Sequence, residues 1–311
     1  MTTPIVVTGG TGTLGRLLLP HLLDAGRSVR VLTRRQPAGP ASSGSASSDS
    51  VPSGSGSRGS VPSGSAPSDS VPSGSAPSGS ASVGPASAGR PAVVEYAIGD
   101  LETGTGVVEA LAEADTVVHC AGSAKGDDVK AAHLVGAAVR AGVKHIVYIS
   151  VVGAERVPVR SAVDRAAFGY FGAKRAAELC VAESGIPFTT LRASQFHELT
   201  LATVRQLAKL PVVPVPAGVR FQPIDGAEVA RRLAELALGE PAGLVPDIAG
   251  PRVYGFDELV RSYLRAAGKR RPILRVPMGG GAYRAIRAGA NLAPDRAVGV
   301  RTWEQYLAAN R

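Results

Sequence analysis

The stretch Thr8-Gly-Gly-Thr-Gly-Thr-Leu-Gly15 limits the possible folds more than any other part of the chain. The apolar run Ile5-Val6-Val7 leads into it and Leu14 to Leu23 follow, so it reads as the turn between a first strand and a first helix. Two glycine patterns overlap there: Gly10, Gly12 and Gly15 make G-x-G-x-x-G, and Gly9, Gly12 and Gly15 make G-x-x-G-x-x-G. Glycine at such points lets the backbone turn tightly. It also lets a pyrophosphate approach amide N–H groups at the positive end of a helix, with no Cβ in the way. The strand before and the helix after supply the context that a dinucleotide-binding reading requires.

Beyond this turn the chain alternates strand and helix. After helix one, about Thr13 to Ala25, Gly26 reads as a C-terminal cap and Ser28 to Thr33 as a second strand. That strand runs into Arg34-Arg35 with no acid nearby. At this point of a dinucleotide fold an acid would bind the ribose 2′-hydroxyl and an Arg would accommodate a 2′-phosphate, so NADP(H) is favoured over NAD(H). Ala92 to Ile98 reads as a third strand followed by Gly99-Asp100-Leu101, where Asp100 is placed to lie near an adenine ring. Asp115 to Gly122 reads as a buried strand ending in the small residues Cys120, Ala121 and Gly122, over which a nucleotide could lie. A helix (127–141), a strand (144–150), a helix (about 166–184) and a strand (187–191) complete a doubly wound parallel sheet.

Between Gln36 and about Pro91 the composition changes to Ser, Gly, Pro and Ala, with Val-Pro-Ser-Gly-Ser at 51, 61 and 71. So little apolar surface cannot offset the entropy of ordering, which predicts a flexible insertion. The expected organisation is a dinucleotide-binding domain over 1–36 and 92–200, a low-complexity disordered insertion over 37–91, and a smaller, substrate-facing α+β lobe over 201–311. In the lobe, short strands are expected at 212–215, 219–224, 244–249 and 273–276. Helices are expected after an Asp225 cap, at 256–267, at 282–290 and at 302–309.

Composition narrows the partners. The chain has 311 residues and a net charge of +9, and the last sixty residues carry twelve Lys or Arg against four Asp or Glu. These cations are interleaved with apolar patterns and match no nucleic-acid-binding motif, so a solvated basic face is expected and nucleic acid is not an expected partner. No run of eighteen apolar residues occurs, which predicts a soluble, cytoplasmic protein that does not enter a membrane. Cys120 and Cys180 read as core thiols, and His119 and His197 have no companions at metal-ligand spacing, so no metal is expected.

Chemistry is concentrated in Tyr170-Phe-Gly-Ala-Lys174, whose Tyr and Lys share one helical face. A nearby ammonium favours the phenolate and would bring the tyrosine towards working pH as a proton donor and acceptor. Ser150 closes the preceding strand and could hold a substrate carbonyl. Gln195, Phe196 and His197 follow a strand at the ligand edge and could line a substrate pocket; a packing role is the open alternative.

With these residues in place, the chain resembles the short-chain dehydrogenase/reductases, and more closely their atypical, NmrA-like NAD(P)H-binding branch. The motifs that carry the resemblance are the glycine turn, Gly99-Asp-Leu101, Val118-His-Cys-Ala-Gly122, Val147-Tyr-Ile-Ser-Val-Val-Gly153, Tyr170-Phe-Gly-Ala-Lys174 and Leu191-Arg-Ala-Ser-Gln-Phe-His197. It implies a Rossmann-like sheet and a nucleotide held by the turn residues Gly9, Thr11, Gly12, Thr13, Leu14 and Gly15, with Arg34 and Arg35 at the 2′-phosphate. It also implies Asp100 and Leu101 at adenine, Cys120, Ala121 and Gly122 beneath the nucleotide, and Lys174 on the nicotinamide ribose. Tyr170 would be the proton donor and Ser150 its helper. The implied activity is hydride transfer to a small carbonyl, quinone or enone by a monomer or homodimer. The alternative is a non-catalytic NADP(H) sensor that regulates a protein partner.

Overall fold

The structure, a computed structural model, describes residues 3–35, 92–122 and 126–310. The segment read as a disordered insertion lies outside the described residues. In chain order the strands are β1 (Ile5–Thr8), β2 (Val29–Thr33), β3 (Val94–Ile98), β4 (Thr116–His119), β5 (His145–Val151), β6 (Phe188–Ala193), β7 (Val213–Pro216), β8 (Arg220–Phe221), β9 (Gly243–Leu244), β10 (Tyr254–Gly255) and β11 (Ile273–Val276). The helices are α1 (Thr13–Asp24), α2 (Val107–Leu111), α3 (Asp127–Ala141), α4 (Ala162–Ala182), α5 (His197–Leu207), α6 (Gly226–Leu238), α7 (Phe256–Ala266), α8 (Gly281–Arg287) and α9 (Trp303–Ala309).

Seven strands form one parallel sheet in the order β3-β2-β1-β4-β5-β6-β9. The strand order reverses between β1 and β4, where Val7 stands between Val31 and Val118. Such a switch point opens a crevice at the carboxyl edge of an open α/β sheet. Ile5, Val6 and Val7 are all fully buried, because helices cover both faces of the strand and alternation is lost. On one face, Leu14, Leu18 and Leu22 of α1 pack with Val229, Ala230 and Leu233 of α6. On the other, α2, α3 and α4 bring Leu111, Leu134, Ala177 and Val181 against Val6, Val117 and Tyr148. The doubly wound, Rossmann-like sheet is therefore as expected.

Beyond residue 200 the chain returns to the sheet with α6 and β9. A separate apolar cluster gathers α5, α7 and α9 around Trp303, Phe256 and Leu201. The expected strand over 244–249 shortens to two residues of pairing with β6, since Pro246 has no N–H to give the ladder. The helix expected from 166 begins earlier, at Ala162, where Ser161 and Asp164 form a capping box, and its φ/ψ break at Phe168 (φ −134°). Helix α5 was not anticipated. No helix among the described residues is long and apolar enough to cross a membrane.

Candidate functional site

The carboxyl ends of β1, β2, β3 and β4 border a cavity of about 900 Å³. Gly9, Thr11 and Gly12 line it from the turn, and Leu32, Thr33, Arg34 and Arg35 from the end of β2. Gly99, Asp100, Leu101 and Glu102 line it after β3, Cys120, Ala121 and Gly122 after β4, and Lys130 from α3. The structure thus brings ten of the residues proposed from the sequence around one space, and adds Leu32, Thr33, Gly99, Glu102 and Lys130. Lys130 is paired with Glu102 at 3.4 Å, an arrangement that joins α3 to the loop after β3 and that no sequence spacing announces.

Each glycine of the turn has its own steric reason. Gly9 has φ +69°, and a Cβ there would stand 2.7 Å from the amide nitrogen of Ala121, so turn and β4 end meet backbone to backbone. A Cβ on Gly15 would run into the Gly9 carbonyl oxygen, which keeps the start of α1 against the turn. Gly12 donates its N–H to that same carbonyl at 2.9 Å, and a Cβ on it would meet nothing else within 4 Å, so it leaves the approach to the helix open. Thr13, Leu14 and Gly15 do not line the cavity with side chains; Leu14 is packed into the core. Their amides belong to the first turn of α1, which has no intrahelical acceptors for them.

Arg34 and Arg35 are exposed. Asp100 Oδ1 accepts the Glu102 N–H at 2.8 Å, and the Leu101 carbonyl accepts a hydrogen bond from His133 Nδ1 at 2.8 Å. These bonds fix the loop after β3 as one wall of the cavity.

Lys174 lies just behind Gly122. A Cβ on Gly122 would be 3.3 Å from Lys174 Nζ and 3.5 Å from Asp127 Oδ2, so this cavity-lining glycine packs directly against a buried ion pair. Lys174 Nζ is 3.2 Å from Asp127 Oδ2, donates to the Ile149 carbonyl at 3.2 Å, and stands 5.0 Å from the Tyr148 ring centre and 5.8 Å from that of Tyr170. Burial works against the ammonium, but Tyr148 and Asp127 outweigh it and hold the lysine pKa above its ordinary value.

The expected effect of Lys174 on Tyr170 is overturned. The phenol's pKa is raised, first by burial and then by the charge of Asp127. Dry surroundings disfavour the phenolate, and the nearby carboxylate adds to that. Tyr170 therefore stays protonated. Ser150 is buried on β5, and its hydroxyl has no hydrogen-bond partner of good geometry among the described residues, although it helps hold Glu178 ionised. Burial alone would raise Glu178; Arg192, gripping it with two contacts of 2.7 Å, does most to reverse that.

The residues proposed to line a substrate pocket are engaged otherwise. His197 is fully buried, its Nε2 donates to the Arg301 carbonyl at 3.0 Å, and its ring stacks with Tyr306 at 4.8 Å and Trp303 at 5.8 Å. It is a packing residue of the second apolar cluster, held neutral chiefly by burial. Gln195 donates to the Asn291 carbonyl and accepts the Gln222 N–H, and Phe196 packs against the first core. His119 is fully buried, with Nδ1 2.7 Å from Thr8 Oγ1 and a pKa lowered to about 3 by burial. Burial pushes the Cys120 thiol up to about 12, which leaves it protonated. Among the described residues, no group of three or more His, Cys, Asp or Glu side chains could share a metal ion.

Residues 84–236 match the family of NAD(P)H-binding domains. That match does not include the glycine turn, so turn and family match are separate observations. No curated protein sequence matches the chain. The fold is similar to that of an NADPH-dependent quinone oxidoreductase from Escherichia coli complexed with NADPH, at TM-score 0.67 and 16% identity, covering 98% of this chain and 99% of that one. It is also similar to a triphenylmethane reductase from Citrobacter sp. complexed with NADP(H), at 0.63 and 18%, over 98% and 99%. A nucleoside-diphosphate-sugar epimerase from Staphylococcus aureus gives 0.63 and 18%, again over 98% and 99%. Identities this low speak for the fold alone. With the NAD(P)H-binding match, they bear out the resemblance to atypical short-chain dehydrogenase/reductases.

Proposed function

We propose that this chain, an NAD(P)H-binding protein with the fold of nicotinamide-dependent reductases, is an NADP(H)-dependent oxidoreductase of a small carbonyl, quinone or enone. One observation carries the reading: a single cavity joins the glycine turn, the Arg34-Arg35 strand end, Asp100-Leu101 and Gly122, with Lys174 behind that last glycine. Those residues fit a dinucleotide phosphate, because Gly12 has no side chain and leaves the approach to the start of α1 open. The turn amides would hold the pyrophosphate, Arg34 and Arg35 the 2′-phosphate, Asp100 and Leu101 the adenine, and Lys174 the nicotinamide ribose.

The bound reduced nicotinamide would supply the hydride. Tyr170, kept protonated through neutral pH, would give the proton. Ser150, whose buried hydroxyl has no hydrogen-bond partner of good geometry among the described residues, would assist. The residues beyond 200 would form the substrate-facing part, and the substrate class is suggested by the names of the quinone oxidoreductase and triphenylmethane reductase that share the fold.

A second reading, a sensor that binds NADP(H) and signals to a protein partner without turnover, draws support from Gln195 and His197. Both are tied into backbone contacts rather than turned to a substrate. The deciding experiment follows NADPH oxidation against quinones, enones and small aldehydes, alongside a binding titration. Turnover with any of them supports the reductase; tight NADPH binding with turnover of none supports the sensor.

A further inference from the structure

We propose that Asp127 is a positioning residue for the nucleotide: its carboxylate keeps the Lys174 ammonium charged and fixed behind Gly122, where a bound nicotinamide ribose would meet it. This rests on the proposed reading of the cavity and adds to it a residue on a different helix. The geometry is specific. Asp127 opens α3 at 0% exposure and Lys174 sits on α4 at 4%, so two charges face each other out of water at 3.2 Å. A buried ammonium is costly, and its charge persists only with an opposite charge at hand. Among the described residues, the groups facing Lys174 are Asp127 from α3, Tyr148 and the Ile149 carbonyl from β5, neutral His119 and protonated Cys120 from the end of β4, and Tyr170 from its own helix. Only Asp127 carries a full negative charge there.

Gly122 is a cavity-lining residue that lies against this pair. A Cβ at position 122 would stand 3.3 Å from Nζ and 3.5 Å from Asp127 Oδ2, so the ion pair packs against the backbone of a residue that lines the cavity.

The test is NADPH affinity of the full chain as a function of pH. The parent should bind about equally from pH 6 to pH 9, because the paired lysine stays charged throughout. In Asp127→Asn the unpaired, buried lysine has a depressed pKa: its charge is present at low pH and lost as pH rises through that value. Affinity should then fall at least about tenfold between the acid and alkaline ends. Asp127→Glu should restore the flat profile. Should Asp127→Asn fail to fold, the double variant Asp127→Asn, Lys174→Met replaces both charges by neutral groups and should fold, yet bind NADPH weakly at every pH. An Asp127→Asn profile that is flat, whether tight or uniformly weakened, overturns the inference, as does a double variant that binds like the parent. If the parent takes up no NADPH at any pH, the reading of the cavity falls as well.

Discussion

The nucleotide end of the cavity is built from main chain, whereas the chemistry end is built from side chains that hold other side chains. At the first, Gly9 meets Ala121 backbone to backbone, Gly15 meets the Gly9 carbonyl, and the binding groups are amides. At the second, Lys174 depends on Asp127 and the Ile149 carbonyl, and the state of Tyr170 depends on burial and on Asp127. The difference teaches where substitutions should be felt. A side chain added at the first end changes the backbone itself; one removed at the second changes charge and protonation.

Gly9→Ala should have the largest effect. Its φ of +69° disfavours any Cβ by about 1–2 kcal/mol, and the clash with Ala121 adds about 1–3 kcal/mol. Denaturant unfolding should show that loss and a titration should show NADPH binding abolished; a variant as stable and as tight as the parent would mean that the turn is not backbone-limited. Tyr170→Phe should come next, losing about a hundredfold in reductase rate, or about 2.7 kcal/mol, while NADPH binding is nearly unchanged. The parent's rate should stay level through neutral pH, since the donor proton is present below the raised pKa and lost only as pH climbs past the ordinary phenol value of about 10. Equal turnover in Tyr170→Phe would move the donor role to another group.

Arg34→Ala should narrow the preference for NADPH over NADH by about 1.5–3 kcal/mol, the scale of a charge-assisted contact to phosphate. Equal affinities for the two nucleotides in the parent would remove Arg34 from the site. The smallest effect belongs to His197→Phe, which keeps an aromatic ring against Tyr306 and leaves the Arg301 carbonyl without its donor. It should cost about 1 kcal/mol of stability and leave KM alone, whereas a changed KM would return His197 to the substrate.

The same contrast decides what could be read from the sequence. The turn, the parallel sheet and ten of the fifteen cavity-lining residues are local matters of glycine spacing and continuous apolar runs, so they were legible. Asp127 was not, because in sequence it is simply an acid in the first turn of a helix, a position that the helix dipole favours anyway. Its pairing with a residue 47 positions later exists only once α3 and α4 pack together. Helix α5 carries its own sequence signal: His197, Thr200, Leu201 and Val204 recur at helical spacing and are the buried positions. Reading that spacing would have turned His197 inward, away from a substrate. The Ser161-x-x-Asp164 pair likewise marks the start of α4 four residues before the expected one.

The account stands most directly on where the nucleotide lies, and a crystal structure of the full chain with NADPH would measure it. The account predicts the pyrophosphate on the amides at the start of α1, the 2′-phosphate against Arg34 or Arg35, and the nicotinamide ribose at Gly122 with Lys174 still paired to Asp127. A nucleotide seated away from the glycine turn, or a nicotinamide directed away from Gly122 and Lys174, would contradict it.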